Sequence, residues 1–493
     1  MRKPFVSLLI ALASSFVAGA DSIPPRVSPE ELAGRRARLA TALGPNALFV
    51  ALPARTFNRN GDVDFTFRQH DDILYLTGVD TPDTALAILP GETSNREVLF
   101  TRSRDPLREV WTGRIETFDS MRARTGVKAV HAYSQLKAFI DAALTGGSWG
   151  DSTQYRAYRL PGMPAFRTAM NEGRAEVWLL LGARPQARED ATPEMLFAEE
   201  LKRRYPEVAI RNATRLVHSM RELKSPSEVA LLTRAIDVTV EAHKAAMRRV
   251  KSANHEYELE ATIEYTFRNM GACCYGFPSI VASGRNSTTL HYDTNNDPIQ
   301  RDGLLLADIG AEVDGYTADV TRTFPADGTF SSDQRTIYEA VLAAQDESIA
   351  LMKIGGTFAE VHEKAGEVLG RTLLDLGLIT RNEPAQVRLY FLHGIGHHVG
   401  LDVHDVSDRT RKFEAGMALT NEPGIYVRKD DVLANATYLK MSEPDRKRIA
   451  AALERYDGIG VRIEDDIFVT NGAPRMLSAG APRTVRDIEA WMK

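Results

Sequence analysis

Cysteine is almost absent. The 493-residue chain has two, Cys273 and Cys274, and they are adjacent. Neighbouring Cα atoms lie about 3.8 Å apart, closer than the usual span of a disulfide. No disulfide framework and no CxxC-type site is therefore expected. Long apolar runs are also missing. The one stretch that approaches that character, VSLLIALASSFV, is short for a bilayer span, and no cysteine stands beside it for lipid attachment. No basic tract stands out from 61 Lys and Arg against 66 Asp and Glu, so nucleic acid is not an expected partner. There is no short-period repeat, no low-complexity region and no HExxH zinc helix.

The apolar stretch follows Arg2 and Lys3 and ends at Ala18-Gly19-Ala20. That is the pattern of a secretory leader over residues 1–20, with cleavage before Asp21. Its loss would take the formal charge from −5 to about −7. The expected location is outside the cytoplasm, in the periplasm of a Gram-negative host, with no membrane association after cleavage.

A chain of this length holds two or more domains. Ser28-Pro29-Glu30-Glu31 and Ser225-Pro226-Ser227-Glu228 each read as a capping box with proline at the first helical position. They predict helices over 29–43 and 226–249. Between them, VLFTRSRD and EVWLLLG alternate with helical stretches, the pattern of an α/β domain over 21–224. Residues 225–493 mix helices, among them 332–353 and 357–377, with antiparallel strands. That is an α+β pattern.

The second half carries the chemistry. Residues 304–313 (LLLADIGAEV) and 316–324 (YTADVTRTF) flank Asp314-Gly315, a two-residue hairpin signal. Counting outward pairs Val313 with Tyr316, Gly310 with Asp319 and Asp308 with Thr321. Asp308 and Asp319 then share a face as diagonal neighbours, with Cα atoms roughly 7–8 Å apart. The hairpin alone allows two readings: solvated surface aspartates, or a pair of metal ligands. Asp308 follows three leucines, and a buried carboxylate needs a proton, a partner or a metal.

Residues 391–405 (FLHGIGHHVGLDVHD) hold four of the eleven histidines, His393, His397, His398 and His404, in a glycine-punctuated loop. Glu422 ends a strand-like run at Pro423-Gly424. In GVRIEDDIFVT (460–470), alternation puts Arg462, Glu464 and Asp466 on one face; a lined cavity and an ordinary solvated face both fit. Oxygen-rich sets with one or two imidazoles suit Mn²⁺, Co²⁺ or Zn²⁺, and two such ions sharing carboxylates make a hydrolytic centre.

SIVASGRNSTTLHY, ADIGAEVDGYTADVTRTFP, HGIGHHVGLDVHD, TNEPGIY and GIGVRIEDD, in this order, resemble the aminopeptidase P and prolidase family, the pita-bread metallopeptidases. The resemblance covers residues 215–480. It extends upstream, where FRQHDDILYLTG and EVWTGR resemble amino-terminal segments of bacterial aminopeptidase P. It implies an α/β amino-terminal domain, a pita-bread catalytic domain and a hydrolase for proline-containing peptides. It implies two divalent ions, Mn²⁺ foremost with Co²⁺ or Zn²⁺ also accepted, and a homodimer or homotetramer. Asp308 would bind one ion, His397 and Glu422 the other, and Asp319 and Glu464 both. Glu422 would also shuttle the proton. His291 and His404 would act at the scissile carbonyl and its tetrahedral intermediate. His393 and Arg462 would line the proline site. Trp111 and Asp62 match residues that reach a neighbouring active site or hold the substrate's amino end.

Two departures from the compact bacterial pattern bear on substrate length: a longer stretch over 427–457, with a helical segment at 445–456, and an enlarged region around 145–195. A dipeptide-restricted prolidase is the competing enzymatic reading. A metal-free binding relative or a creatine-hydrolysing one would lack ligands, and all five are present.

Overall fold

The computed structural model describes residues 26–93, 96–147, 149, 164–182 and 191–493. The leader-like segment and, within the 145–195 region, residues 148, 150–163 and 183–190 lie outside the described residues. Among the described residues, no helix is long and apolar enough to cross a membrane.

The first helix, α1 (Pro29–Leu43), starts where Ser28 caps it and proline takes the first turn. Behind it lies a six-stranded sheet of β1 (Ala47–Ala51), β2 (Ala85–Ile88), β3 (Glu97–Thr101), β4 (Ala129–Ala132), β5 (Glu176–Leu179) and β6 (Ala209–Asn212), in the order β4-β3-β2-β1-β5-β6. The β1–β2 and β2–β3 pairs are antiparallel and the others parallel. Period-2 alternation divides β1 between two cores. Leu48 and Val50 pack with Phe100, Phe139 and Trp149 on one face. Ala47, Phe49 and Ala51 join a core on the other face that runs on into the second half of the chain.

That second half opens with α2 (Pro226–Arg249), whose Ser225–Glu228 capping box has both arms made. The box predicted at Ser28 is only half formed: Ser28 Oγ accepts from the Glu31 N–H, but the Glu31 carboxylate turns away. It accepts instead from Arg35 and from the hydroxyls of Ser225 and Ser227. Arg35 also pairs with Glu228 at 3.2 Å. The missing arm therefore became a tie between the domains, because a carboxylate gains more from a guanidinium and two hydroxyls than from one exposed amide.

After α3 (Glu256–Asn269) come short antiparallel strands: β7 (Cys274–Tyr275), β8 (Ile280–Ser283), β9 (Leu304–Ile309), β10 (Ala311–Val313), β11 (Tyr316–Thr317) and β12 (Val320–Pro325). They form two ladders, β8-β9-β12 and β11-β10-β7. The register is the one counted from the turn, with Val313 opposite Tyr316 and Asp308 opposite Thr321. Asp314 and Gly315 have φ of 50° and 86°, as that tight turn demands. Between the ladders, a Cβ on Gly310 would meet the Ala318 carbonyl oxygen at 1.9 Å. Glycine is required there by close backbone approach.

Two helices, α4 (Ser332–Ile349) and α5 (Phe358–Asp375), back this layer. The remaining strands are β13 (Ala418–Asn421), β14 (Gly424–Tyr426), β15 (Gly460–Arg462), β16 (Asp465–Phe468) and β17 (Arg475–Met476), with α6 (Glu443–Tyr456) between β14 and β15. They pair as β13-β16-β17 and β14-β15. Both hairpin arms break at the same level, at Glu422-Pro423 and Ile463-Glu464.

Arg322 fixes that break from behind. It is fully buried and donates to the Glu464 carbonyl at 2.7 Å, to Asp465 Oδ1 at 2.6 Å and to the Pro482 carbonyl at 3.0 Å. Alternation places Asp465 with the apolar side of its strand, yet it is as buried as Ile463, held by Arg322, Ser478 and Gln345. Removing one member of a buried pair leaves an uncompensated charge. Arg322→Met is therefore expected to cost about 3–5 kcal/mol in urea unfolding of the full chain. A loss below about 1 kcal/mol would show that Ser478 and Gln345 satisfy Asp465 unaided.

Candidate metal centre

Four strand ends and one loop converge on a single pocket. Asp308 comes from the end of β9 and Asp319 from the residue before β12. Glu422 follows β13, and Glu464 sits in the gap between β15 and β16. The glycine-rich loop before β13 supplies His397; its path is set by Gly396, where a Cβ would lie 2.1 Å from the Thr420 carbonyl oxygen. Ligand atoms of Asp319, His397 and Glu464 lie within 4.8 Å of one another. His397 Nε2 is 3.3 Å from Asp319 Oδ2 and 3.8 Å from Glu422 Oε1. The Nδ1–H of His397 has its own acceptor, the His398 carbonyl at 2.9 Å, which leaves Nε2 with a free lone pair. This tautomer is inferred from the acceptor.

Opposite the carboxylates stands one cation. Arg462 donates to Asp308 Oδ2, to Thr321 Oγ1 at 3.1 Å and to Tyr426 Oη at 2.9 Å. Thr321 in turn donates to Glu464 Oε2 at 2.8 Å. Tyr426 Oη lies 2.7 Å from His393 Nε2, while His393 Nδ1 is 2.8 Å from the Gly394 carbonyl. The chain of donors runs from Arg462 through Tyr426 to a neutral His393. His393 also lies against the Phe391 ring, edge to face at 5.3 Å.

The electrostatics are those of a crowded anionic pocket. Burial first, then the neighbouring carboxylates, holds Asp319 and Glu422 well above the usual carboxylate range. Glu464 is pushed up to about 8 by burial and Asp308. Asp466 is raised as well, by burial; its Oδ2 accepts from the Asp319 N–H at 3.1 Å. Burial pushes His393 and His397 down to about 3, with Arg462 and His404 respectively adding to the effect. Asp308 Oδ1, Glu464 Oε1 and Asp466 Oδ1 are buried without a hydrogen-bond partner. Unpartnered carboxylate oxygens beside a free imidazole lone pair fit hard or borderline divalent cations.

The remaining expected site residues divide by position. His404 stands at the mouth of the pocket, its ring 4.1 Å from that of His397, and burial and His291 lower its pKa. His291 is exposed. Asp62 and Trp111 are not brought to the pocket within this chain. Asp62 occupies the turn of an exposed hairpin (Asn58–Asn60 with Val63–Asp64), and Trp111 is 88% exposed on the helix Pro106–Thr112. Sequence reasoning missed Tyr426, Thr321 and Asp466 as parts of the site. Tyr426 and Thr321 lie inside the matched motifs; Asp466 shares the alternating face with Glu464. Those were the signals that could have found them.

An open cleft of about 490 Å³ adjoins the pocket, lined by Phe358, His362, Arg388, Phe391, His393 and Arg409 among others. No residue of 427–457 lines it. Its helical part packs elsewhere, Arg448 donating to the Leu374 carbonyl and Arg455 pairing with Asp333, while Arg428 at its start donates to the Thr288 carbonyl, three residues before His291.

Residues 230–471 match Metallopeptidase family M24, and residues 32–149 match Aminopeptidase P, N-terminal domain. The chain is similar to the Xaa-Pro aminopeptidase of Escherichia coli, at 33% identity over 94% of this chain and 98% of that protein. It is 31% identical to human Xaa-Pro aminopeptidase 3 over 95% of this chain and 86% of that one. Among solved structures, Pseudomonas aeruginosa aminopeptidase PepP superposes with a TM-score of 0.77 at 33% identity, covering 95% and 98% of the two chains. Aminopeptidase P from E. coli with the inhibitor Pro-Leu gives 0.78 at 30% identity, covering 95% and 99%.

The raised carboxylates have a consequence for the metal-free protein. A carboxyl whose folded pKa exceeds its unfolded value favours folding while protonated, and that contribution is lost as pH rises through the folded pKa. For Glu464 the window runs from its ordinary value of 4.5 up to about 8. The depressed histidines act oppositely, below their ordinary 6.5. Between pH 6.5 and about 8 the Glu464 effect therefore stands clear of theirs. Chelated protein is expected to melt at lower temperature as pH rises across that window, and added Mn²⁺ should remove most of the slope. A flat profile in differential scanning calorimetry would show that the carboxylates are compensated without metal.

Proposed function

The chain belongs to the aminopeptidase P family of M24 metallopeptidases, and from that premise we propose that it releases the first residue from peptides with proline in second position. The observation that carries this reading is the joining of two features in one pocket: the Asp308, Asp319, His397, Glu422, Glu464 cluster and the wall made by His393, Tyr426 and Arg462. The five cluster residues would hold two divalent ions, with Mn²⁺ the first candidate. Asp308 would serve one, His397 and Glu422 the other, and Asp319 and Glu464 both. Bound there, such ions polarise the substrate carbonyl and lower the pKa of a shared water to roughly 7.

The chain's own residues do the rest. Glu422, with its raised pKa, accepts the proton of the attacking water and passes it to the leaving proline nitrogen. His404 and His291, at the mouth, donate to the oxygen on which charge develops. The Phe391 and His393 rings, set edge to face, offer an apolar corner for a pyrrolidine, and neutral His393 keeps that corner free of charge. An Xaa-Pro bond has no amide N–H. A site that grips the ring and asks for no donor at the scissile nitrogen suits it. The open cleft beside His393 supports room for residues beyond proline, as does the absence of 427–457 from its lining.

Residues 1–20 support export, with the periplasm as the compartment. Leu107, Val110 and Trp111 are each at least 80% exposed on one short helix, which supports a homo-oligomer.

Chelation should abolish cleavage and Mn²⁺ should restore it. In Mn²⁺-loaded protein, Glu422→Gln is expected to lose on the order of 10²–10⁴ in kcat with the fold retained by circular dichroism. His404→Ala should lose about 10²–10³ in kcat with metal content unchanged, read by elemental analysis. Loss of metal from the His404 variant would instead make it a ligand.

Matched Xaa-Pro, Xaa-Pro-Yaa and pentapeptide substrates test the specificity. The tripeptide and pentapeptide should release their first residue, and alanine in place of proline should suppress it. Cleavage of the dipeptide alone would make the enzyme a prolidase.

A further inference from the structure

The only two cysteines of the chain lie outside the carboxylate pocket, beside the turn end of the hairpin that carries Asp308 and Asp319, where β7 pairs with β10. Side chains of adjacent residues in a regular strand point to opposite faces. Here Cys273 sits in the turn that leaves α3, and only Cys274 enters β7. Both sulfurs consequently turn the same way, 2.8 Å apart. Across the β7–β10 ladder, Glu312 is the residue opposite Cys274. One oxygen of Glu312, Oε2, is held by Arg68 Nε at 3.2 Å. The other, Oε1, lies 3.6 Å from Cys273 Sγ. The three side chains present ligand atoms within 4.8 Å of one another. Glu312 is buried, Cys274 is partly buried and Cys273 is exposed, so an ion can arrive from solvent without opening the fold.

We infer that Cys273, Cys274 and Glu312 form a second metal site, for a thiophilic divalent ion of the Zn²⁺ class, with its fourth position left to water. Two thiolates and a carboxylate are a donor set for borderline-soft ions, whereas the oxygen-rich pocket suits harder ones. Mn²⁺ belongs to the second kind, so the two sites sort ions by chemistry. The contact with Cys273 and the Arg68 charge lower the Cys274 thiol, whereas that same contact, burial and Glu312 push the Cys273 thiol up, so metal binding must release the Cys273 proton. Zn–S bonds of about 2.3 Å in a tetrahedron put two sulfurs about 3.8 Å apart. The pair must part by about 1 Å, which a rotation of exposed Cys273 supplies. The place is also informative. Glu312 lies on the hairpin that carries Asp308 and Asp319, and Arg68 comes from the amino-terminal domain. An ion here ties the domain seam at the back of the catalytic hairpin.

The test uses intact, fully reduced, Mn²⁺-loaded protein titrated with Co²⁺ and, separately, Cd²⁺. Only thiolate ligands give a sulfur-to-metal charge-transfer band, and the chain has no other cysteine. That band is expected to saturate at one equivalent per chain. It should vanish in the C273S/C274S double variant and need at least about tenfold more metal in E312Q. Peptidase activity with Mn²⁺ alone should stay at the parent level in both variants, which separates this site from the catalytic one. No band in protein whose two thiols titrate as free would overturn the assignment. So would a band that survives the double variant, or a stoichiometry of half an ion per chain, which would place the metal between two copies.

Discussion

Like charge held out of water is the constraint on which this molecule is built. Asp308, Asp319, Glu422, Glu464 and Asp466 converge where solvent cannot screen them. Two unit charges 4 Å apart repel by about 4 kcal/mol even at an effective dielectric of 20. Inside the pocket the guanidinium of Arg462 answers Asp308, Glu422 and Glu464, and Arg322 faces Asp466 from behind. The set is tolerable only with protons or cations added, and the raised pKa values of Asp319, Glu422 and Glu464 record that need. The scaffold's task is to prevent the carboxylates from relaxing apart. It does so with strand ends rather than long loops. Each carboxylate ligand sits at or next to the end of a ladder, so its backbone is fixed on one side. Arg322 clamps the Glu464 carbonyl from behind, and the Asp466 carboxylate holds the Asp319 amide.

The amino-terminal domain enters the same problem through the loop that carries His404. Arg221, buried at the seam, pairs with Asp72 at 2.7 Å and with Asp405 at 2.6 Å, and Lys224 adds a 2.7 Å contact to Asp405. Arg68 donates to the Leu401 carbonyl at 2.7 Å. The residue next to His404 is therefore anchored by two buried cations, which hold the Asp405 pKa far below the usual carboxylate range. Buried ion pairs are weak sources of net stability, because desolvation offsets most of the attraction. Their effect here is positional. They set the height of His404 over the pocket by tying 401–405 to Asp72 of one domain and Arg221 of the linking segment. The apolar core that runs unbroken from Phe49 of β1 to the catalytic half makes this seam a rigid one.

What could be read from the sequence followed distance along the chain. The Asp314-Gly315 turn determines the register of the next six residues on each side, so the relation of Asp308 to Asp319 could be counted. Ser225 with Glu228 announced α2 because a cap is a four-residue event. The Ser28 box went half wrong for the complementary reason: Glu31 found better partners 194 and 196 residues away, in Ser225 and Ser227. Asp465 was invisible for the same cause. Strand alternation assigns it to an apolar face, and nothing local reveals that Arg322, 143 residues earlier, will meet it there. Tyr426 and Thr321 stood inside matched segments, but their roles depend on Arg462, which periodicity cannot bring to them. Trp111 and Asp62 lie on exposed elements of the other domain, so one chain alone gives them no site partner.

Arg462 shows how the pocket reconciles a site for cations with a wall for an uncharged ring. Its guanidinium has a rigid fork of donors, and the three contacts it makes go to three different tasks. One donor stays with Asp308 and offsets part of the negative charge. A second reaches Thr321, whose hydroxyl passes the orientation on to Glu464. The third fixes the Tyr426 hydroxyl so that its proton points at His393 Nε2. That last step matters because an imidazole 3.5 Å from the Glu422 carboxylate would ordinarily be expected to protonate. Burial and the nearby guanidinium push His393 the other way, to about 3, and its Nδ1–H is spent on the Gly394 carbonyl. The ring that faces the cleft is thus kept neutral by the same cation that steadies two of the proposed ligands. A lysine could not divide itself so, being a point charge on a flexible stem. Charge balance, ligand geometry and the apolar wall thus depend on one side chain.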